Sequence, residues 1–168
     1  MAGSSSFDVT TGVDYMEVHN AVDQATKEIT QRYDFKGAKV AFELSQKDNT
    51  ITLSGPDEFK LKAMWDVLQS KMVRRQVPLK NLKPGKVESA AMGGARQEVA
   101  IQDGLTSDMA RDIVRVLKDA KMKKVQAAIQ GDTVRISSAS KDDLQGAIAL
   151  LKQHDFGVEL KFGNYRSN

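Results

Sequence analysis

The second half of this chain of 168 residues repeats the residue pattern of the first half. A shift of 83 positions places Thr50 on Thr133 and Leu53 on Ile136. A shift of 85 positions aligns the apolar strands that precede these segments, so the first hairpin turn is two residues longer. Self-similarity at a nearly constant spacing indicates two copies of one structural unit. Any fold for this chain must therefore be built from two similar halves.

Each half is predicted to run strand, helix, strand, strand, helix, strand. Apolar residues alternate at period two in the strands and recur at helical spacing between them. The predicted strands are Phe7–Thr11, Val40–Leu44, Ile51–Leu53, Gln97–Ile101, Val125–Ile129, Val134–Ile136 and Val158–Phe162, with the last strand of the first half somewhere in Val87–Met92. The predicted helices begin near Asp14, Asp57, Thr106 and Ser140. This order predicts an α+β protein of two tandem ferredoxin-like (βαββαβ) domains, each an antiparallel sheet with its helices on one face.

The boundary between the halves is predicted at Gly93–Gly94, where two glycines give the backbone the freedom of a hinge. Residues 1–92, with a basic connector, then form the first domain, and residues 93–168 form the second. The alternative is strand exchange, in which the first strand of one half completes the sheet of the other.

Composition and motifs argue against several classes of function. The chain has no Cys, which excludes disulfides and Cys-ligated metal, and its two histidines, His19 and His154, are not at ligand spacing. It has no P-loop, nucleophile-elbow or dinucleotide-binding pattern, so we expect no enzyme, no catalytic residue, no metal and no cofactor. No apolar stretch approaches the length of about 20 residues that spans a bilayer, and the N-terminal residues do not resemble a secretory signal. We therefore expect a cytoplasmic protein that does not enter a membrane.

Basic residues are unevenly distributed, although the formal net charge is only +3. Six of them, with no acid between, are Lys71, Arg74, Arg75, Lys80, Lys83 and Lys86, and a second cluster is Lys118, Lys121, Lys123 and Lys124. Such stretches neutralise the phosphates of RNA or DNA. They are also typical of a solvated connector and of helix ends, where the helix dipole favours cations.

Two short segments combine aromatic rings with cations. The first is Arg32–Gly37, and the second is the tail Phe162–Arg166, which contains Asn164 and Tyr165. Rings suit a nucleobase and cations suit phosphate. In the structural alternative, Phe35 packs in the core, Arg32 pairs with Asp34, and the terminal aromatic closes the end of a sheet.

The sheet positions predicted to face away from the helices are polar. They are Thr50, Thr52, Ser54, Thr133, Arg135 and Ser137. A ferredoxin-like sheet that binds RNA usually presents aromatic rings there for base stacking, and none is found. What remains is a face with Arg96, Arg135 and Lys161, which suits either phosphate or solvent.

Seven segments resemble the YajQ family of small bacterial proteins. They are Ser6–Val9, Asn20–Ala25, Arg32–Gly37, Gly94–Gln97, Lys118–Lys121, Val125–Asp132 and Asp142–Gln145, and the resemblance runs from Ser6 to Arg166. It implies two ferredoxin-like domains and nucleotide binding, with cyclic di-GMP, GTP, RNA or DNA as ligands. It also implies a LysR-type transcription regulator as a partner, and no catalytic residue set. Two segments depart from the family pattern: Thr10–Gly12, and Ser138–Ser140, where relatives are more often basic.

The resulting hypothesis is a non-enzymatic nucleotide-binding protein with its ligand in a groove between the two domains. Arg32, Lys36 and Arg96 would hold phosphates, Phe35 or Tyr165 would stack on a base, and Gln97 or Asn164 would read the base edge. The alternatives are a nucleic-acid-binding protein that uses the basic stretch, and a protein-interaction module that uses an open sheet face or an exposed edge strand.

Overall fold

The computed structural model describes residues 4–167, and the chain divides into two compact units. Unit 1 contains the residues up to Gly12 and those from Asp103 onward, whereas unit 2 is the continuous segment Val13–Gln102. In chain order the elements are β1 (Ser5–Thr10), α1 (Tyr15–Gln31), β2 (Ala41–Ser45), β3 (Thr50–Gly55), α2 (Glu58–Arg74), β4 (Leu82–Ser89), β5 (Ala95–Ile101), α3 (Ser107–Asp119), β6 (Gln126–Gln130), β7 (Thr133–Ser138), α4 (Lys141–Gln153) and β8 (Lys161–Ser167).

Each unit contains one four-stranded antiparallel sheet. The strand order is β6-β7-β1-β8 in unit 1 and β2-β3-β5-β4 in unit 2. Every neighbouring pair is antiparallel, and the two orders are equivalent when β5 takes the place in unit 2 that β1 has in unit 1. The predicted fold class, two ferredoxin-like α+β domains, is therefore confirmed.

The first strand of each half of the repeat lies in the sheet of the other half. β1 pairs between β7 and β8, and β5 pairs between β3 and β4. A central strand has hydrogen-bonding partners on both sides, so it commits its segment to that sheet. The structural division consequently falls at 12/13 and 102/103 rather than at 92/93. Gly93 and Gly94 lie in the β4–β5 connection inside unit 2, which removes the hinge interpretation.

One face of each sheet packs on two helices. In unit 2 the fully buried Ile51 and Leu53 of β3 join apolar residues of α1 and α2 in one core. In unit 1 Val134 and Ile136 of β7 do the same with residues of α3 and α4. Because successive strand residues point to opposite faces, the polar residues between them form the second face of each sheet.

Two strands differ from the prediction. β4 begins at Leu82, before the predicted range Val87–Met92, and continues through a bulge between Pro84 and Val87. β8 begins at Lys161 rather than near Val158, because Lys161 is the residue that pairs with the end of β1 at Thr10. Val158 is buried in the core of unit 1 without belonging to a strand. The apolar residue at position 158 therefore reflects burial in the core and does not mark the start of a strand.

Each helix begins at a side chain that caps it. Asp14, Asp57, Thr106 and Ser140 accept hydrogen bonds from backbone N–H groups of the first turn at 3.0, 2.7, 3.1 and 3.2 Å. Such caps satisfy donors that have no partner inside the helix, which explains the predicted starts. Within residues 4–167, no helix is both long enough and apolar enough to cross a membrane.

Candidate functional site

The segment that follows α1 forms a short 3-10 turn at Tyr33–Phe35. Arg32 donates from Nε and Nη2 to the two carboxylate oxygens of Asp34, at 3.0 and 2.8 Å. These hydrogen bonds raise the pKa of Arg32 and lower the pKa of Asp34. A bidentate pair of this kind fixes the plane of the guanidinium group. Arg32 therefore pairs with Asp34, as in the structural alternative considered for this segment.

Phe35 is a core residue of unit 2, with 2% of its surface exposed. Two cations lie over its ring: Arg32 Cζ is 5.4 Å from the ring centre and Lys60 Nζ is 5.0 Å from it. Lys60 Nζ also donates to the backbone carbonyl of Asp34. Phe35 therefore has no exposed ring face on which a base could stack. Its role in this segment is to hold two cations in place.

The exposed ring of this segment is Tyr33, which sequence reasoning did not single out. Tyr33 is 91% exposed, and Phe59 in the first turn of α2 is 82% exposed. The contact of Lys60 with Asp34 brings that turn of α2 against the 3-10 turn. The sequence left stacking and core packing open for Phe35, because only the packed core shows which of the two rings is buried.

The cations at this turn differ in their pairing. Arg32 is neutralised by Asp34, whereas Lys36 and Lys60 make no ion pair among the residues that the structure describes. Lys36 is exposed directly after the turn. An anion beside the exposed Tyr33 ring would therefore find uncompensated positive charge.

Arg96 and Gln97 lie on opposite faces of β5. Arg96 is on the open face, where its guanidinium group is 3.0 Å from Glu98 and 4.0 Å from Glu88. Gln97 donates from Nε2 to the backbone carbonyl of Gly85, in the bulge of β4, at 2.8 Å. Consecutive strand residues point in opposite directions, so these two side chains do not form one site.

Asn164 and Tyr165 belong to unit 1. Asn164 donates from Nδ2 to Oδ2 of Asp8 at 2.6 Å, and its backbone has a φ of 53°. The ring of Tyr165 is 63% exposed and lies 6.1 Å from the ring of the buried Phe7. The amide of Asn164 is thus engaged within the sheet, whereas Tyr165 keeps an accessible ring.

Asp8 is the centre of a polar network on the open face of unit 1 that the sequence did not reveal. Arg135 donates to its two carboxylate oxygens at 3.0 and 3.4 Å, and Asn164 donates to one of them. The hydrogen bond from Arg135, followed by that from Asn164, lowers the pKa of Asp8 and more than offsets its desolvation. Arg135, for which the sequence left phosphate binding and simple solvation open, is therefore paired with Asp8.

The six residues of the basic stretch are distributed over two surfaces of unit 2. Lys71, Arg74 and Arg75 line an open groove of about 540 Å³ between α1 and α2. In it the buried Lys71 ammonium is 2.9 Å from Glu28, and Arg75 is 3.7 Å from Glu17. The other three lie on the connector and on β4: Lys80, Lys83 and Lys86. Arg74 is exposed in the groove.

The two histidines have ordinary surroundings. His19 is 3.5 Å from Asp23 one helical turn away, and the His154 ring is 6.1 Å from the Phe156 ring. Among residues 4–167 there is no group of three or more His, Cys, Asp or Glu side chains that could hold a metal ion.

Comparison with known proteins gives matches over almost the whole chain. A family model described as "Nucleotide-binding protein YajQ-like" matches residues 5–166. A protein named nucleotide-binding protein from Koribacter versatilis is 52% identical over 164 residues, which is 98% of each chain. Proteins with the same name from Elusimicrobium minutum and Solibacter usitatus are 50% identical, over 96% and 98% of this chain and 98% of their own.

Proposed function

Because the chain belongs to the YajQ-like family of nucleotide-binding proteins, we propose that it binds an anionic nucleotide on unit 2 and catalyses no reaction. The proposed position is the turn site, defined as Arg32, Tyr33, Lys36 and Lys60. The observation that carries it is the 91% exposure of Tyr33 in a turn that Lys60 contacts and Lys36 directly follows, neither lysine having an ion-pair partner in the described residues. The cytoplasm, where nucleotides are abundant, is the compartment that this function requires.

The turn site supplies the two kinds of contact that a nucleotide needs. A base stacked on Tyr33 would contribute roughly 1–3 kcal/mol, as aromatic side chains do in single-stranded nucleic-acid sites. Lys36 and Lys60 would contact phosphate as point charges. Lys60 lies over the Phe35 ring without an ion-pair partner in the described residues, so a bound phosphate would compensate its charge.

The other residues expected from the sequence contribute unequally to this proposal. Arg96 is not part of the turn site, because it lies on the open face of the sheet beside Glu98 and Glu88. Tyr33 takes the stacking role considered for Phe35, which is buried. Gln97 and Asn164 are not used, since their amide nitrogens already donate to Gly85 and Asp8.

Calorimetric titration of nucleotide-free protein with GTP and with cyclic di-GMP tests the proposal. We expect saturable binding of at least one, weakened about tenfold or more by Tyr33→Ala and little changed by Tyr33→Phe. Lys36→Ala combined with Lys60→Ala should weaken it further. Lys47→Ala, an exposed lysine in the β2–β3 turn, is the matched control. Binding that survives the Tyr33 and lysine changes in folded protein would contradict the turn site.

Cyclic di-GMP is the ligand that the family resemblance favours, with a LysR-type transcription regulator as the partner. Its guanines and its two phosphates match a site that combines an exposed ring with several cations. Binding of cyclic di-GMP in preference to GTP, together with ligand-dependent retention of such a regulator, would support an effector role. Equal affinity for both nucleotides would leave only the general nucleotide-binding role.

RNA binding in the α1–α2 groove is the second candidate, and the exposed cations Lys27 and Arg74 favour it. Affinity that depends on phosphate neutralisation falls steeply with salt. Arg74→Ala should then reduce the slope of the logarithm of the binding constant against the logarithm of the salt concentration by about one. Lys71 is bound to Glu28, so Lys71→Met should affect stability more than RNA affinity. A flat salt response would exclude this candidate.

A further inference from the structure

β6 is an edge strand that lacks the usual protection of sheet edges. It pairs only with β7, in a continuous register of five residue pairs from Gln126 to Gln130. It contains no charge, no proline and no bulge. A strand in this position presents unpaired N–H and C=O groups, and proteins normally block such an edge.

The other three edge strands of the described sheets are each interrupted or charged. β4 has a bulge, Pro84 and two lysines, and β8 has a register shift together with Lys161 and Arg166. β2 contains the exposed Glu43. The uncharged, regular edge of β6 is therefore a distinct feature of unit 1.

An apolar groove accompanies this edge on the helix side of the sheet. A cavity of about 390 Å³ lies between α3 and β6, and Val114, Leu117, Met122, Val125 and Ala127 line it. Ile129, opposite the buried Val134 and on the same face as Ala127, is 46% exposed. A strand added beside β6 would direct every second side chain toward this apolar surface.

The charge around the groove is predominantly positive. Lys118 lines the groove, and Lys121, Lys123 and Lys124 lie in the loop that leads directly into β6. All four are exposed, and none makes an ion pair in the part of the chain that the structure describes. Asp119 is the single acid between Lys118 and Gln130. An occupant of this edge would therefore gain from carrying negative charge.

We propose that β6 binds an extended segment of a partner protein. In this segment apolar residues alternate with polar ones, and acidic residues lie at its end. The segment adds to the sheet as a fifth strand: its main chain pairs with β6, and its apolar side chains enter the groove. Its acidic residues lie beside Lys118, Lys121, Lys123 and Lys124. The inference concerns unit 1 and is independent of the nucleotide site on unit 2.

Charge decides between this occupant and a second copy of the same chain. A second copy of β6 contains no acidic residue, so the strand itself would supply nothing to compensate the four unpaired lysines of its partner. RNA would satisfy the lysines but would leave the edge hydrogen-bonding groups and the apolar groove without partners. An acidic, apolar strand satisfies all three features.

The test uses the full chain, labelled with ¹⁵N, and a blocked synthetic peptide with the sequence Asp-Asp-Val-Thr-Val-Thr-Val-Asp-Asp. We expect saturable shifts of the backbone amide signals, concentrated at residues 126–130. Replacing the four Asp of the peptide by Lys should weaken binding about tenfold or more, as should N-methylation of alternate backbone amides. The two control peptides separate the contribution of charge from that of strand pairing.

Matched protein variants complete the experiment. Lys123→Glu with Lys124→Glu should weaken the acidic peptide about tenfold and strengthen the basic one, whereas Lys47→Glu with Lys62→Glu on unit 2 should change neither. The proposal is overturned by absence of shifts at residues 126–130 at millimolar peptide, or by equal binding of the N-methylated peptide. It is also overturned if oligouridylate binds more tightly than the acidic peptide and shifts the same signals. Dimers in sedimentation, with concentration-dependent shifts at residues 126–130, would overturn it as well.

Discussion

At the residue scale, Asp8 connects the central strand of unit 1 to both of its neighbours. Its carboxylate accepts hydrogen bonds from Arg135 on β7 and Asn164 on β8, and only 12% of its side chain is exposed. The guanidinium of Arg135 and the amide of Asn164 stabilise the charged form, so the pKa of Asp8 lies below its ordinary value of 3.8. Three polar side chains on three strands thus reinforce the pairing of the backbone.

The first prediction follows from that lowered pKa. A carboxylate with a lower pKa in the folded protein contributes stability above its ordinary pKa and loses it as the pH falls through the folded value. We expect Asp8→Asn to lower the free energy of unfolding by about 1 kcal/mol at pH 7. The difference from the wild-type protein should be smaller at about pH 2.5 than at pH 7, because Asp8 becomes progressively protonated as the pH falls below its ordinary pKa.

Urea denaturation at the two pH values measures this effect. Asp66→Asn is the matched control, since Asp66 is exposed on α2 and makes no hydrogen bond or ion pair among residues 4–167. An equal loss of stability at both pH values would show that Asp8 acts through shape rather than through its charge.

At the element scale, β4 explains part of the basic stretch without a ligand. It is exposed along nearly its whole length and forms one edge of its sheet. Pro84, the bulge that follows it, and Lys83 and Lys86 are features by which edge strands avoid pairing with other chains. These two lysines therefore have a structural role in addition to any contact with nucleic acid.

The second prediction tests the protection of this edge. Pro84→Val combined with Lys86→Val should change the free energy of unfolding by less than about 0.5 kcal/mol, because both side chains are exposed. It should increase light scattering during refolding, since the altered edge gains a backbone N–H donor at position 84 and two apolar side chains. Lys47→Val, in a turn of the same unit, should leave scattering unchanged. Unaltered scattering in the β4 variant would mean that the bulge alone protects the edge.

At the scale of the whole molecule, strand exchange makes one unit continuous and the other discontinuous. Unit 2 obtains all four strands and both helices from one stretch of chain, whereas unit 1 needs β1 from the opposite end of the sequence. The fully buried Phe7 and Val9 of β1 belong to the core of unit 1. That unit can therefore form only when chain ends far apart in sequence come together.

The third prediction concerns fragments. Residues 13–102 expressed alone should unfold cooperatively in urea, because they contain every strand of their sheet and a complete core. Residues 1–92 and residues 93–168 should not, since each lacks the central strand of its principal sheet. Circular dichroism with urea titration measures the outcome. Cooperative unfolding of residues 1–92 would show that β5 is dispensable, contrary to its pairing with two strands.

Family membership, the fold class and the starts of the helices were available from the sequence. Residue alternation, helical spacing and capping side chains are properties of short stretches of chain, so a linear reading detects them. The repeat likewise identified two equivalent sheets. The positions of β4 and β8 were less accurate, because a strand ends where its partner ends.

The tertiary structure decided the rest, because pairing and burial depend on residues that are distant in sequence. The repeat permitted strand exchange without selecting it, and the pairing of β1 with β7 and β8 selected it. In Arg32–Gly37 the sequence supplied two rings and two cations, but only the packed core assigned Phe35 to the interior and Tyr33 to the surface. Likewise, the sequence alone allowed Arg135 to bind phosphate. In the structure Arg135 pairs instead with Asp8, its neighbour across β7 and β1.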